Sequence, residues 1–137
     1  MRFHVKSHID ADPRTVWSLL TDVAGYTSWN TTVVKVDGEI APGASLSLTR
    51  TVDPKRAFAL TVESMEGTRM VWSSGMPLGL FRGARTIQVR AAGDGAEFEM
   101  EEVFSGLMAP LITKMIPDLQ PSFDQWAADL KQRAEAG

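Results

Sequence analysis

The sequence predicts an α+β fold in which a curved antiparallel sheet of about seven strands wraps around a long C-terminal helix, with two short helices after the first strand. Three observations lead to this prediction. One strand-like segment precedes a short helical segment, about six further segments have the period of strands, and the C-terminal segment has the period of a helix. The length of 137 residues fits one domain, residues 1–137, and a core of that size needs no disulfides, which the absence of cysteine excludes.

The first strand is predicted in the segment RFHVKSHI. Phe3, Val5 and Ile9 fall on one face of such a strand, while His4 and His8 fall on the other. At this spacing the two imidazoles lie roughly 13 Å apart, which is too far for them to share a metal ion. We therefore expect both histidines on the surface and no metal site.

A short helix is predicted next, in the segment DADPRTVWSLL. Asp12 is a favourable N-cap, and Pro13 fits the first helical position because its fixed φ suits a helix and no N–H is needed there. Apolar residues then recur at helical spacing, and the helix breaks near Gly25. A second short helix is expected before the chain returns to strands.

Six further strands are predicted between this region and the C-terminal segment. The candidate segments are TTVVKVDG, ASLSLTRTVD, AFALTVESM, RMVWSS, ARTIQVRAAG and AEFEMEEVF. Turn signals rich in Gly, Pro and Asp separate them, which is typical of an antiparallel meander. Gly75, Gly79, Gly83 and Gly106 lie within or beside strands and favour bending, and a bent sheet can leave a hollow against a helix.

The C-terminal segment PDLQPSFDQWAADLKQRAEA has a helical period. One stripe of it is apolar and is formed by Leu119, Phe123, Trp126, Leu130 and Ala134. We expect this long helix to face the sheet. The preceding segment LMAPLITKMI is also expected to be helical, but Pro117 and Pro121 predict a kink or two separate pieces.

Composition argues against several classes of function. The formal charge is −3, from 14 basic and 17 acidic residues that are scattered along the chain, so we expect no nucleic acid partner. No segment resembles a membrane span, and the N-terminus lacks the apolar core of a signal peptide, so we expect a cytoplasmic protein. Because cysteine, metal-binding motifs, a phosphate loop and a nucleophile elbow are all absent, we expect no cofactor and no metal ion.

Three charged residues occupy the apolar phase of predicted strands. Glu102 alternates with apolar residues in EFEMEEVF, Arg85 does so in FRGARTIQV, and Arg50 does so in LSLTRTV. A charge on an inner face is unfavourable unless it is paired or hydrated. Either the arginines pair with Glu102 or reach solvent at a strand end, or the three groups line a cavity and orient a ligand. A shift of one residue in register would turn all of them outwards.

The ordered set of these segments resembles the START-like superfamily of ligand-binding proteins, also called SRPBCC, and within it the polyketide cyclase/dehydrase-like branch of small bacterial proteins. The matching segments are IDADPRTVWSLLTDVAGYTSWN, DGEIAPGASLSL, MVWSS, FRGARTIQV and EEVFSGLMAPL. The resemblance implies a helix-grip fold. It also implies a deep apolar cavity between the sheet and the C-terminal helix, and the binding there of a hydrophobic small molecule such as a lipid.

The resemblance also gives a place to the aromatic connection after the first helix. Tyr26, Trp29 and Asn30 match the family's loop beside the cavity entrance, so the rings are expected to pack the short helices against the sheet, with Trp29 or Tyr26 bordering the ligand. In one departure, Arg85 stands where the family commonly has histidine, and Ile87 where it has phenylalanine. A guanidinium is always charged and cannot act as a general base at neutral pH, which weakens the transfer of a catalytic role.

The preferred hypothesis is a carrier or sensor that binds a hydrophobic or aromatic small molecule. Arg85, Glu102 and Arg50 would fix the polar end of that ligand. Its apolar part would be bound by Trp29, Phe58, Leu60, Trp72, Met100, Phe104, Met108, Met115, Phe123 and Trp126.

Two alternatives use the same fold. One is a cyclase or dehydratase that folds a polyketide-like substrate in the cavity and uses Glu102 to transfer a proton. The other is an interaction module that binds another protein and whose pocket is vestigial. The protein is expected to be a monomer or a homodimer, and the fold alone does not decide between these functions.

Overall fold

Seven strands form one antiparallel sheet in the computed structural model, which describes residues 1–137. The strands are β1 (Arg2–Ile9), β2 (Val33–Gly38), β3 (Ser45–Arg50), β4 (Asp53–Glu66), β5 (Arg69–Met76), β6 (Phe81–Ala92) and β7 (Gly95–Ser105). Their order across the sheet is β1-β7-β6-β5-β4-β3-β2. The sheet curls into a half-barrel, and the predicted α+β class and strand number are confirmed.

Four α-helices complete the chain: α1 (Pro13–Thr21), α2 (Tyr26–Trp29), α3 (Ala109–Ile112) and α4 (Gln120–Glu135). Two 3₁₀ turns, at Val23–Gly25 and Thr113–Met115, stand before α2 and after α3. The predicted break before the long helix is confirmed, because Ile116, which precedes Pro117, has an extended backbone. None of these helices has both the length and the apolar character that crossing a bilayer requires.

Local chemistry accounts for the two main helices. The side chain of Asp12 accepts a hydrogen bond from the backbone N–H of Arg14 at 2.8 Å, and α1 begins at Pro13, as the sequence predicted. Helix α4 packs mainly on β1 and also contacts α1 and α2. Its apolar stripe is buried and comprises Phe123, Trp126, Ala127, Leu130 and Ala134.

An aromatic cluster joins the short helices to the sheet and to α4. The ring of Tyr26 lies 5.2 Å from that of Trp29, 6.3 Å from Trp72 and 5.7 Å from Trp126, measured between centroids. Tyr26 is fully buried, and its hydroxyl donates a hydrogen bond to the carbonyl of Leu20. The predicted packing role of these aromatics is confirmed. Because Tyr26 is enclosed, it belongs to the core rather than to an entrance.

Strand β4 changes its partner half-way along. Its first half pairs with β3, whereas its pairing with β5 runs only from Thr61 opposite Ser73 to Glu66 opposite Arg69. Residues 53–60 of β4 and residues 74–76 of β5 are therefore not paired with each other, and the sheet opens between them. We call this opening the β4–β5 cleft.

The outer face of the sheet is polar and carries ion pairs. Glu99 lies between His4 of β1, at 2.6 Å, and Arg90 of β6, at 2.7 Å. The second histidine, His8, is exposed and lies 3.1 Å from Asp10. Both histidines are thus on the outer side of β1, and their contacts are those of surface side chains.

We expect Asp129→Ala to lower the free energy of unfolding by about 1.5–3 kcal/mol, because it removes a buried carboxylate that accepts charge-assisted hydrogen bonds. The Asp129 carboxylate is buried in α4 and accepts hydrogen bonds from the backbone N–H and the hydroxyl of Thr31, both at 2.7 Å. Urea unfolding measures the change. The control is Asp124→Ala on the exposed side of the same helix, and an equal loss in the two variants would contradict this reading.

We expect Glu99 to stabilise the fold at neutral pH and to lose that effect in acid. Hydrogen bonds from His4 and then Arg90 lower the pKa of Glu99 from its ordinary value of 4.5 to about 2 in the folded protein. Its contribution is therefore complete above pH 4.5 and disappears as the pH falls towards 2.

The difference in unfolding free energy between the wild type and Glu99→Gln should accordingly shrink over that interval, as measured by urea unfolding at several pH values. Glu39→Gln serves as the control, since Glu39 is exposed and forms no ion pair. A difference that does not change with pH would contradict the prediction.

Candidate functional site

A buried ion pair lies at the centre of the inner face of the sheet. Arg85 of β6 stands directly opposite Glu102 of β7, and its Nε donates to the Glu102 Oε1 at 2.9 Å. The two side chains are only 8% and 13% exposed. The inward register and the first of the two interpretations, an ion pair between Arg85 and Glu102, are therefore observed.

Helix α4 closes over this pair with two aromatic rings. The guanidinium carbon of Arg85 lies 4.8 Å from the ring centre of Phe123 and 5.5 Å from that of Trp126. Both distances are in the range of cation–π attraction, which offsets part of the unfavourable desolvation of the charge. The space directly beneath this part of α4 is thus filled by protein side chains.

Arg50, at the end of β3, is held differently from Arg85. Its guanidinium carbon lies 4.3 Å from the ring centre of Phe58, and no carboxylate lies within salt-bridge distance of it. Its Nε is buried and has no hydrogen-bond partner in the protein. Burial lowers the pKa of Arg50, and the positive charge of Arg85 lowers it further, while Glu102 acts in the opposite direction.

The β4–β5 cleft opens beside these residues. It contains a recess of about 550 Å³, whose walls combine the apolar side chains of Leu60, Met76 and Phe81 with polar ones such as Thr61, Ser74 and Arg82. Gly75 permits this path of β5: its φ is +140°, and a Cβ there would lie 2.3 Å from the carbonyl oxygen of Phe81. A smaller recess of about 260 Å³ lies on the outer face, but only polar side chains line it, so it does not suit an apolar ligand.

The residues predicted to bind a ligand fall into three groups. The buried group is Trp29, Trp72, Arg85, Met100, Phe123 and Trp126. The partly exposed group on or beside the inner face is Arg50, Phe58, Leu60, Glu102, Phe104 and Met108. Met115 is the exception, because its side chain is 81% exposed at the surface end of a 3₁₀ turn and does not belong to an interior wall.

The buried side-chain atoms without a hydrogen-bond partner share one property. All of them are N–H donors: the indole nitrogens of Trp29, Trp72 and Trp126, the amide nitrogen of Asn30, and the Nε of Arg50. No buried side-chain oxygen is left unpaired. Unpaired buried donors are unusual in native proteins and call for an explanation.

Sequence reasoning missed part of the cleft. Ser74, Met76 and Phe81 line it, but their alternation looks like that of an ordinary paired strand. The sequence signals at this place are Gly75 and Gly79, which lie within or beside a strand and favour bending. The place where β4 leaves β5 has no local sequence signature, because it depends on which strands the two halves of β4 pair with.

The comparisons with known proteins agree with this architecture. A family model described as "Polyketide cyclase / dehydrase and lipid transport" matches residues 1–135. The chain belongs to this family. No curated protein matches the chain in sequence.

Solved structures of the same fold have little sequence identity to this family member. The START superfamily protein from Mycobacterium smegmatis has a TM-score of 0.73 at 14% identity, and the match covers 98% of this chain and 97% of that one. Ara h 8.0201 has a TM-score of 0.72 at 13% identity, with 100% and 99% covered.

The di-domain ARO/CYC StfQ from the steffimycin biosynthetic pathway has a TM-score of 0.74 at 11% identity, with 98% of this chain covered. The match covers 51% of StfQ, so the present chain spans about half of that protein. At these identities the likeness shows the fold alone.

We expect the inner pair Arg85–Glu102 to be strongly coupled. Removing either partner should lower the free energy of unfolding by about 3–5 kcal/mol, because an unpaired charge would stay buried. In a double-mutant cycle with Arg85→Met and Glu102→Gln, measured by urea unfolding, the coupling energy should be about 2–3 kcal/mol.

The matched control is the outer pair Arg82–Glu63, which has a contact distance of 2.6 Å and side chains that are 47% and 44% exposed. The outer pair should show a coupling energy below about 1 kcal/mol, because solvent screens exposed charges. Equal coupling energies in the two pairs would contradict the prediction that burial strengthens the Arg85–Glu102 interaction.

Proposed function

We propose that this protein is a carrier or sensor for a hydrophobic small molecule. The ligand enters at the β4–β5 cleft and lies against the inner faces of β3 and β4, beside α4 rather than directly beneath it. Membership of a family described by polyketide cyclisation and lipid transport supports the chemical class of ligand.

One observation carries the proposal: apolar side chains of the inner face remain partly exposed where the sheet opens. Phe58 and Leu60 are neither enclosed like the core residues nor turned to the outer face. Leu60 lines the recess in the cleft, and Phe58 leads from it to Arg50. A recess in which apolar side chains lie beside polar groups suits a small molecule that has both an apolar and a polar part.

The polar groups favour binding over catalysis. Arg85 cannot accept a proton, and the carboxylate that it pairs with, Glu102, is engaged by it at 2.9 Å. Holding a ligand in place requires only that such groups stay fixed, and the ion pair and the rings over it do this. We therefore place the cyclase or dehydratase hypothesis second.

The proposal is tested with the neutral fluorescent probe N-phenyl-1-naphthylamine. Wild-type protein should bind it with increased fluorescence. Leu60→Trp should weaken binding by about tenfold or more, because the larger side chain fills the cleft.

Ala57→Trp provides a matched control on the exposed outer face of the same strand and should bind the probe like the wild type. Thermal unfolding of each variant checks that it is folded. Absence of probe binding to the wild type, or equal binding by both variants, would overturn the proposal.

A further inference from the structure

Arg50 is a positive charge on the inner face that the protein itself does not neutralise. It forms no salt bridge, and the charged groups that act on it are the guanidinium groups of Arg85 and Arg56 and the carboxylates of Glu102 and Asp53. Counting Arg50, three cations thus face two anions. One of those anions, Glu102, is already bound by Arg85.

The unpaired hydrogen-bonding groups of the interior also favour an anion, because they are donors and not acceptors. The five unpaired buried side-chain atoms are all donors, and the Nε of Arg50 is one of them. A partner that satisfies them must bring acceptors. Since a guanidinium also binds a planar carboxylate with two parallel hydrogen bonds, an acid is the acceptor that suits Arg50 best.

The surroundings of Arg50 restrict the remainder of the ligand. The face of its guanidinium lies on the ring of Phe58, and Arg56 lies 4.7 Å from the centre of the same ring, so the site joins positive charge to an apolar surface. The excess of one positive charge matches a monoanion better than a doubly charged phosphate.

We infer that the ligand is an amphipathic carboxylic acid, with an aromatic or alkyl body in the β4–β5 cleft, and that Arg50 binds its carboxylate. This inference rests on the proposed function and deepens it by giving the ligand a charge. Arg85 is already bound to Glu102, so Arg50 is the arginine that binds the anion. The negative charge of a bound anion offsets the desolvation and the like-charge repulsion that lower the pKa of Arg50.

The test compares two probes that differ in their polar group, 2-naphthylacetate and 2-naphthylethanol, by isothermal titration calorimetry. Wild-type protein should bind the acid at least about tenfold more tightly than the alcohol. The reason is that the carboxylate forms a charge-assisted hydrogen-bonded pair with the partly buried Arg50. Arg50→Gln should abolish this preference by weakening binding of the acid about tenfold more than binding of the alcohol. Arg50→Lys should keep part of the preference, because charge remains but the planar fork is lost.

The matched control is Arg69→Gln, an exposed arginine of β5 without an ion pair, and it should behave like the wild type. Thermal unfolding shows whether each variant is folded. If Arg50→Gln does not fold, the binding preference of Arg50→Lys tests the inference instead. Equal binding of acid and alcohol by the wild type, or loss of the preference in Arg85→Gln but not in Arg50→Gln, overturns the inference. If the wild type binds N-phenyl-1-naphthylamine but neither naphthyl probe, the inference is overturned and the proposed function stands. If the wild type binds none of the three probes, the proposed function is overturned as well.

Discussion

The pair of Arg85 and Glu102 is the interaction on which the interior depends. It joins β6 to β7 on the inner face, and two rings of α4 lie against the guanidinium. A charge in this position is tolerable only because a carboxylate and two aromatic faces compensate it together. The helix is consequently tied to the part of the sheet near β1, and the sheet on the other side of the pair is left without the same cover.

The opening between β4 and β5 follows from the way a long strand is shared. Strand β4 satisfies its backbone against β3 in one half and against β5 in the other, so the sheet curls but cannot stay closed along its whole length. Gly75 allows β5 to follow a path that a side chain would block. Leu60 lines this opening, Phe58 follows it on the same face of β4, and the uncompensated Arg50 lies over the Phe58 ring.

The fold itself is common to proteins with different roles, and the family description names both cyclisation and lipid transport. The proposed role of this chain rests on the chemistry of its inner face. An arginine that cannot exchange protons stands where the family resemblance suggested histidine, and the unpaired buried groups are all donors. These features favour recognition of an acceptor over proton transfer. These features depend on the side chains of the inner face and not on the shared backbone fold.

The sequence by itself determined the strands, the cap of α1, the amphipathic α4 and the break before it, because each follows from a period or a local backbone preference. It also predicted the inward direction of Arg85 and Glu102, which the strand register of the structure confirms. Alternation also told which faces are apolar. Only the tertiary structure decided that Arg85 pairs with Glu102 while Arg50 stays unpaired, that Tyr26 is enclosed, that Met115 lies outside, and that β4 is not paired with β5 before Thr61. The physical reason is that a repeating pattern fixes which way a side chain points, whereas its partner and its exposure depend on distant segments that compete for the same space.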